Sequence, residues 1–325
     1  MELICPAGTP AGLKAAVEAG ADAVYCGFRD ETNARNFPGL NFSPEELRAG
    51  IAYAHGHGVK VLVAINTFAR AGTLDLWKRA VDTAVEAGAD ALIIADVGVL
   101  DYAARRHPDQ RLHVSVQAAA ANPDAIEFYV KAFSARRVVL PRVLSVAEIA
   151  AIAREVRCET EVFVFGGLCV MEEGRCSLSS YATGQSPNMN GVCSPASHVH
   201  YREQDGQLVS RLGAFTINKF AAEEPAGYPT LCKGRFQTEH GAGYLFEDPV
   251  SLDATTMLPE LQKAGVTALK IEGRQRGRAY IERVVRNFRQ TLAGLEDGHS
   301  APAGDLVSLT EGQSTTAGAY RKTWR

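Results

Sequence analysis

Four of the seven cysteines fall in a stretch rich in Gly, Ser, Pro and Asn. They are Cys169, Cys176, Cys193 and Cys232, separated by 6, 16 and 38 intervening residues. Such a stretch buries little apolar surface, and a metal held by four thiolates would stabilise it. Four cysteines suit zinc or an iron–sulfur cluster. Zinc sites usually use ligand pairs about two to four residues apart, which are missing here, so the spacing favours a cluster only slightly. Four thiols without a metal remain a third interpretation.

Other possible ligands have simpler interpretations. The histidines closest in sequence to these cysteines could be ligands or ordinary loop residues: His198, His200 and His240. The remaining cysteines stand in apolar settings, and we interpret them as small core residues: Cys5, Cys26 and Cys158. An odd number of cysteines in a chain with no recognisable signal peptide makes a disulfide framework unexpected.

Charged and amide residues follow several short apolar runs. Lys270 and Glu272 alternate with Leu269 and Ile271, and Arg274 follows directly. A second group of polar residues alternates with valines: His113, Ser115 and Gln117. Further polar residues end other apolar runs: Asn66, Asp96 and Arg142. If these runs are parallel strands, their polar ends converge on one pocket.

The elements needed to position these residues recur along the chain. The phrase Val-Glu-Ala-Gly-Ala-Asp-Ala at 17–23 returns at 85–91, and a looser version spans 262–268. In each, a helix ends at a Gly and a buried strand follows. The spacing predicts eight strands, at about 2–6, 23–27, 59–65, 91–95, 112–117, 137–141, 161–165 and 267–272. It predicts intervening helices at 10–19, 44–56, 74–87, 97–106, 122–132 and 145–156.

Strands alternating with helices indicate an α/β protein with a parallel sheet, and eight strands suggest a closed (β/α)8 TIM-like barrel. An open doubly wound sheet is the alternative. We expect one barrel domain over 1–298, with a cysteine-containing insertion at about 168–250 between strands seven and eight. A helix is predicted at 251–264, and residues 299–325 are expected to form a C-terminal extension.

In such a barrel, alternation places one face of each strand outward against the helices. Five residues are therefore candidates for catalysis at the barrel mouth: Glu272, Arg142, Gln117, Arg274 and Asn66. Arg142 and Arg274 could together bind a dicarboxylate. An internal salt bridge, such as Lys270 with Glu272, is the structural alternative. Arg35 is interpreted as a solvated loop charge.

Several functions are not supported by the sequence. The nucleophile-elbow, zinc-protease and phosphate-loop motifs are missing, so neither proteolysis nor nucleotide binding is expected. The formal charge of −3 argues against a broad nucleic-acid-binding face. No apolar run is long enough to cross a membrane. We expect a cytoplasmic protein.

Specific motifs surround the cysteines. They are Glu-Gly-Arg-Cys-Ser-Leu-Ser at 173–179, Thr-Gly-Gln-Ser-Pro-Asn at 183–188, Gly-Val-Cys at 191–193 and Cys-Lys-Gly-Arg at 232–235. Cys-Pro-Ala-Gly at 5–8 and Lys-Ile-Glu-Gly-Arg at 270–274 accompany them. Together these residues resemble the signature of the collagenase-like peptidase family U32. Runs such as Asp-Glu-Thr-Asn-Ala-Arg at 30–35 and His-Val-Ser-Val-Gln-Ala at 113–118 resemble its oxygen-independent ubiquinone-biosynthesis subgroup.

The resemblance implies a [4Fe–4S] cluster held by Cys169, Cys176, Cys193 and Cys232. It also implies a heterodimer with a UbiV-like sister protein, which hydroxylates the ring of a ubiquinone precursor with prephenate as the oxygen donor. Many family members follow the third cysteine with Pro-Cys-Arg, whereas here Ser-Pro-Ala-Ser follows, as in this subgroup. Two alternatives stay open: a prephenate-dependent hydroxylase of RNA bases, and a non-catalytic iron–sulfur scaffold.

Overall fold

Eight parallel strands close into a barrel in the computed structural model, which describes residues 1–171, 176–187, 192–297, 306–310 and 314–321. Pairing runs in sequence order from the first strand to the seventh, and the strand at 268–271 closes the barrel by pairing with the first and the seventh. The barrel strands are β1 (Glu2–Pro6), β2 (Ala23–Gly27), β3 (Lys60–Ile65), β4 (Ala91–Ile94), β5 (Leu112–Val114), β6 (Arg137–Val139), β7 (Glu159–Gly167) and β14 (Ala268–Ile271). The predicted (β/α)8 barrel is confirmed, and the open sheet is excluded.

Helices follow the strands and cover the barrel. They are α1 (Pro10–Glu18), α2 (Pro44–His55), α3 (Leu74–Glu86), α4 (Val97–Arg106), α5 (Pro123–Phe133), α6 (Val146–Glu155), α8 (Leu258–Lys263) and α9 (Arg278–Glu296). Ser43 and Ser145 begin α2 and α6 with capping boxes, as the sequence predicts. The glycines of the three repeated phrases have positive φ. No helix among the described residues is long and apolar enough to span a membrane.

Alternation along the strands separates two apolar regions. Leu3, Val63, Val114 and Leu269 pack outward beneath the helices. A smaller cluster fills the barrel interior: Ile4, Ala23, Tyr25, Leu62, Ala64, Ala91, Ile93 and Ala268. The interior residues at the carboxyl ends of the strands are polar, and these form the candidate site.

The insertion after β7 has its own secondary structure. It contains α7 (Ser177–Thr183), an antiparallel sheet of β8 (Val199–Gln204), β9 (Gln207–Leu212) and β10 (Phe215–Phe220), and a hairpin of β11 (Arg235–Thr238) with β12 (Gly241–Tyr244).

The prediction of a helix at 251–264 is wrong over its first turn. There β13 (Ser251–Asp253) runs antiparallel to the end of β7, and α8 begins only at Leu258. Pairing with β7 prevails over helical patterning because it satisfies an otherwise open strand edge.

The chain end packs on the barrel. The short β15 (Thr315–Thr316) pairs parallel with β13. Tyr320 is buried, and its hydroxyl donates a hydrogen bond to the Phe163 carbonyl of β7 at 2.5 Å. The last described segment therefore connects to the strand that leads into the cysteine-containing insertion.

Candidate functional site

The Glu272 carboxylate joins three parts of the barrel mouth. Glu272 follows β14, and its Oε2 accepts a hydrogen bond from Arg142 Nη2 at 2.6 Å. Its Oε1 accepts one from Arg35 Nη2 at 2.9 Å. Arg142 lies beyond β6, and Arg35 comes from the loop between β2 and α2. All three line the same pocket.

The position of Arg35 corrects the sequence interpretation. We expected a solvated loop charge, but only 24% of its side chain is exposed and it pairs with Glu272. The loop after β2 folds back over the mouth, where Ala34 N donates to Asn66 Oδ1 at 3.1 Å. The partner of Arg35 is 237 residues away in sequence, so no local pattern could identify it.

Electrostatics keep Glu272 ionised. Burial alone would raise its pKa, but the charges of Arg142 and Arg35 outweigh burial and lower it to about 2. Glu272 is therefore a carboxylate near neutral pH. It can accept hydrogen bonds and orient two guanidinium groups, but it has no proton to donate.

Two glycines of β7 allow Glu272 to approach the strand. Gly166 has a φ of +115°, and a Cβ there would lie 2.8 Å from Glu272 Cβ. A Cβ at Gly167 would lie 3.1 Å from Glu272 Oε2. The Phe-Gly-Gly end of β7 is therefore part of how the carboxylate is positioned.

Arg274 is held separately from Arg142. Its Nη1 donates to Asn33 Oδ1 at 2.6 Å, and its backbone passes so close to Gly8 that a Cβ there would clash with the Arg274 carbonyl oxygen. Burial lowers the pKa of Arg274 to about 10, which leaves the guanidinium charged at neutral pH. Arg142 and Arg274 line one pocket, as predicted, although each contacts a different protein group.

Amide groups form another wall of the pocket. Asn66, beyond β3, donates from Nδ2 to Ser115 Oγ at 3.4 Å. Gln117 lies in a short 3-10 turn after β5 and is 4% exposed. Its Oε1 has no hydrogen-bond partner among the described residues. A buried carbonyl oxygen without a partner is costly, so Gln117 is suited to accept a hydrogen bond from a ligand.

The pocket combines positive charge with flat apolar surfaces. Four cations line it: Arg35, Arg142, Arg274 and Lys270. Glu272 is the only carboxylate among the described lining residues. The guanidinium of Arg142 stacks 3.6 Å from the centroid of the Phe163 ring. This arrangement suits an anionic ligand with a planar or cyclic part.

Below the pocket, the barrel floor is an ion network. Lys270 Nζ lies 2.5 Å from Glu161 Oε1, and Arg137 Nη1 lies 3.2 Å from Glu161 Oε2. The suggested Lys270–Glu272 bridge does not form, because Glu161 on the neighbouring β7 lies closer to the ammonium group. His113 is also deep, and burial lowers its pKa well below the usual value. Its Nε2 accepts a hydrogen bond from Arg111 at 3.0 Å.

Helix α7 connects the backbone at Cys176 with the backbone at Cys193. It starts directly after Cys176, whose carbonyl accepts a hydrogen bond from Ser180 Oγ at 3.1 Å. Ser179 Oγ donates to the carbonyl of Cys193. Cys232 lies in a 3-10 turn over Leu231–Lys233. Parts of the signature, at 173–175, 188 and 191, lie outside the described residues.

The thiols are close enough to influence one another. Burial, together with the nearby Cys193 and Cys176, raises the pKa of Cys232 to about 11. None of the seven cysteines, all within the described residues, forms a disulfide. Four cysteines in one insertion are donors that zinc and iron–sulfur clusters use, so the donor set fits a metal group by its chemistry.

The cysteine side chains are not gathered around a metal position in this conformation. Among the described residues, no group of three or more Cys, His, Asp or Glu side chains is arranged to hold one. The three loop histidines lie on the surface: His198 meets Ser197 Oγ at 3.0 Å, His240 lies beside Glu239, and His200 is exposed.

A closed α/β barrel with a charged mouth and a cysteine-containing insertion defines the class of this protein. The family model for peptidase family U32 matches residues 8–316, and the chain belongs to this family. It is 34% identical to tRNA hydroxylation protein P of Escherichia coli (strain K12), over 90% of this chain and 67% of that protein. It is 28% identical to the 23S rRNA 5-hydroxycytidine C2501 synthase of the same strain, over 97% of this chain and 42% of that protein.

A further relative carries a different name. The collagenase of Porphyromonas gingivalis (strain ATCC BAA-308 / W83) is 27% identical over 91% of this chain and 66% of its own length. The chain thus spans about two thirds or less of the length of these relatives.

Proposed function

We propose that this chain is a subunit of an oxygen-independent hydroxylase that uses prephenate as oxygen donor and carries a [4Fe–4S] cluster. The observation that carries the proposal is the pocket in which Glu272 orients Arg142 and Arg35 beside Arg274. Its excess of guanidinium groups over carboxylates suits a dicarboxylate such as prephenate. Two relatives are named for hydroxylation of RNA, which supports hydroxylation as the chemistry.

Each residue of the pocket has a proposed part in binding. Arg274 and Arg142 bind the two carboxylates of the donor, and the Phe163 ring packs against its cyclic part. Gln117 and Asn66 orient its hydroxyl group by hydrogen bonds. Glu272 stays ionised and fixes the guanidinium planes, so that the donor is held in one orientation.

The cluster is proposed to be held by Cys169, Cys176, Cys193 and Cys232. When bound, it supplies one-electron chemistry or a Lewis-acidic iron.

The first test is anaerobic purification, followed by measurement of the visible spectrum, iron and acid-labile sulfide. We expect about four irons and four sulfides per chain, lost in Cys176→Ala. Cys158→Ala, which alters a half-buried cysteine outside the insertion, should keep them. A colourless protein with one zinc would overturn the cluster.

The acceptor is proposed to be the ring of a ubiquinone precursor, as expected of a UbiU-like chain working with a UbiV-like partner. RNA is the second candidate, favoured by the names of the relatives. A strain lacking the gene should be grown without oxygen, and its quinones and RNA nucleosides measured by mass spectrometry. Loss of ubiquinone with unchanged nucleosides supports the first acceptor, and the reverse result supports RNA.

The partner and the site of catalysis are tested in the same strain. Co-expression with the sister protein should give a complex of one copy of each on size exclusion. Complementation with Glu272→Gln or Arg142→Lys then addresses the scaffold alternative. If both variants restore product while Cys176→Ala does not, the chain is a scaffold and its pocket is not catalytic.

A further inference from the structure

Two buried hydroxyl groups flank cysteines of the insertion. Ser194 follows Cys193 directly, and Thr230 precedes Cys232 by two residues. Ser194 is 3% exposed and Thr230 is 8% exposed. Neither Oγ atom finds a partner among the described residues. A buried hydroxyl without a hydrogen-bond partner is unfavourable, so both positions favour a group that accepts a hydrogen bond.

The surroundings of the two hydroxyls indicate where that acceptor lies. Thr230 is the N-cap of the 3-10 turn over Leu231–Lys233, which carries Cys232. The Ser194 backbone is fixed, because its carbonyl accepts a hydrogen bond from Tyr228 at 3.0 Å. The same bond joins the segment of Cys193 to the segment that leads into Cys232. Both hydroxyls therefore border the same group of sulfurs.

We propose that Ser194 and Thr230 donate hydrogen bonds to the sulfurs of the bound cluster and thereby set its reduction potential. The inference rests on the proposed function, because it requires the cluster. Reduction adds negative charge to the sulfurs, and a hydrogen-bond donor stabilises the reduced form more than the oxidised form. Removing either donor lowers the potential.

The chain offers a matched control at the other end of the barrel. Thr160, near the start of β7, is also buried, and its Oγ also lacks a partner among the described residues. It lies at the amino end of the strand, whereas Cys169 lies beyond the carboxyl end. Valine has the shape of threonine without the hydroxyl. Thr230→Val therefore removes a hydroxyl beside the cysteines, and Thr160→Val removes one far from them.

The experiment is a dye-mediated reduction of the anaerobically purified chain, together with its partner where the complex forms, followed by electron paramagnetic resonance. Iron and sulfide are measured first in every sample. We expect Thr230→Val and Ser194→Ala to keep the wild-type iron content and to have more negative midpoint potentials. Thr160→Val should match the wild type, and Thr230→Ser, which keeps a hydroxyl, should lie close to it.

The possible failures are separable. A wild-type protein without iron and sulfide overturns the proposed function and this inference with it. A loaded cluster whose potential is the same in Thr230→Val, Ser194→Ala and Thr160→Val overturns the inference alone. If Thr230→Val does not load its cluster, Ser194→Ala decides: an unchanged potential overturns the inference and a more negative one supports it.

Discussion

Arg142 Nη2 and Glu272 Oε2 meet at 2.6 Å across the barrel mouth, although 130 residues separate them in the chain. Arg142 follows β6 and Glu272 follows β14, so the contact spans the position of β7 between them. Both side chains are buried. Removing one partner would leave the other as an uncompensated buried charge. The orientation of each side chain therefore depends on the charge of the other.

Glu272→Gln should reduce hydroxylation strongly while preserving the fold. The amide is nearly isosteric but cannot neutralise Arg142 and Arg35, so both guanidinium groups lose their fixed orientation. We expect product formation to fall by about 100-fold or more, the range seen when one electrostatic contact of a catalytic site is removed. Product is measured by mass spectrometry at equal cluster content. Glu260→Gln, on the exposed side of α8, is the control, and activity within twofold of wild type in Glu272→Gln would contradict the assigned role.

Glu272 also makes an acid-dependent contribution to stability. Its folded pKa of about 2 lies below the ordinary value of 4.5 because of Arg142 and Arg35, despite burial. The stabilisation is therefore fully present above about pH 4.5 and is lost as the pH falls towards 2. Thermal denaturation between pH 7 and pH 2 should show a flatter pH dependence in Glu272→Gln than in wild type. Parallel curves for the two proteins would show that the carboxylate is not linked to folding.

Glu161→Gln should destabilise the barrel more than loss of a surface ion pair. Glu161 is fully buried between Arg137 and Lys270, and the variant leaves both cations without their shared carboxylate. We expect a loss of about 3–5 kcal/mol in the free energy of unfolding. The control is Arg286→Met, which breaks the exposed Arg286–Glu282 pair and should cost under about 1 kcal/mol. Urea denaturation measures both, and equal losses would refute a structural role for the floor network.

Tyr320 should anchor the chain end to the barrel. Tyr320→Phe removes the hydrogen bond to the Phe163 carbonyl and should cost about 1 kcal/mol. Tyr320→Ala also removes a buried ring and should cost about 3–5 kcal/mol. Val307→Ala, at an exposed position, should change the unfolding free energy by less than about 0.5 kcal/mol. If Tyr320→Ala behaves like Val307→Ala, the observed packing of the chain end is not maintained in solution.

The local patterns in the sequence are enough to predict most barrel elements. Alternation correctly predicts that Lys270 and His113 lie inside, because a buried strand between helices must direct its apolar face outward. Gln117 also lies inside, but in a 3-10 turn and not in the predicted strand. The predicted ends of β5 and β6 are two to three residues too long. The chain leaves both strands early, and after β5 it enters a 3-10 turn at Val116 whose cap is Ser115.

Pairings within the site did not follow from those patterns. The sequence pattern suggested a loop charge for Arg35 and did not single out Glu161. In the structure Arg35 pairs with Glu272, and Glu161 pairs with Lys270. The one available signal for Glu161 was a charged residue at an inward position of an otherwise apolar strand. The signal for Arg35 was its place at the end of the 30–35 motif, but its pairing with Glu272 depends on how a loop folds over the mouth.

The sequence by itself determined the eightfold strand–helix repeat, the family motifs and the set of residues able to reach the barrel mouth. These follow from local physics: the side-chain period of a strand, helix capping, and glycine after a helix. Only the tertiary structure decided that Glu272 pairs with Arg142 and Arg35 while Lys270 pairs with Glu161. Which charges meet depends on strand register and loop path, and these are fixed only when distant segments pack together.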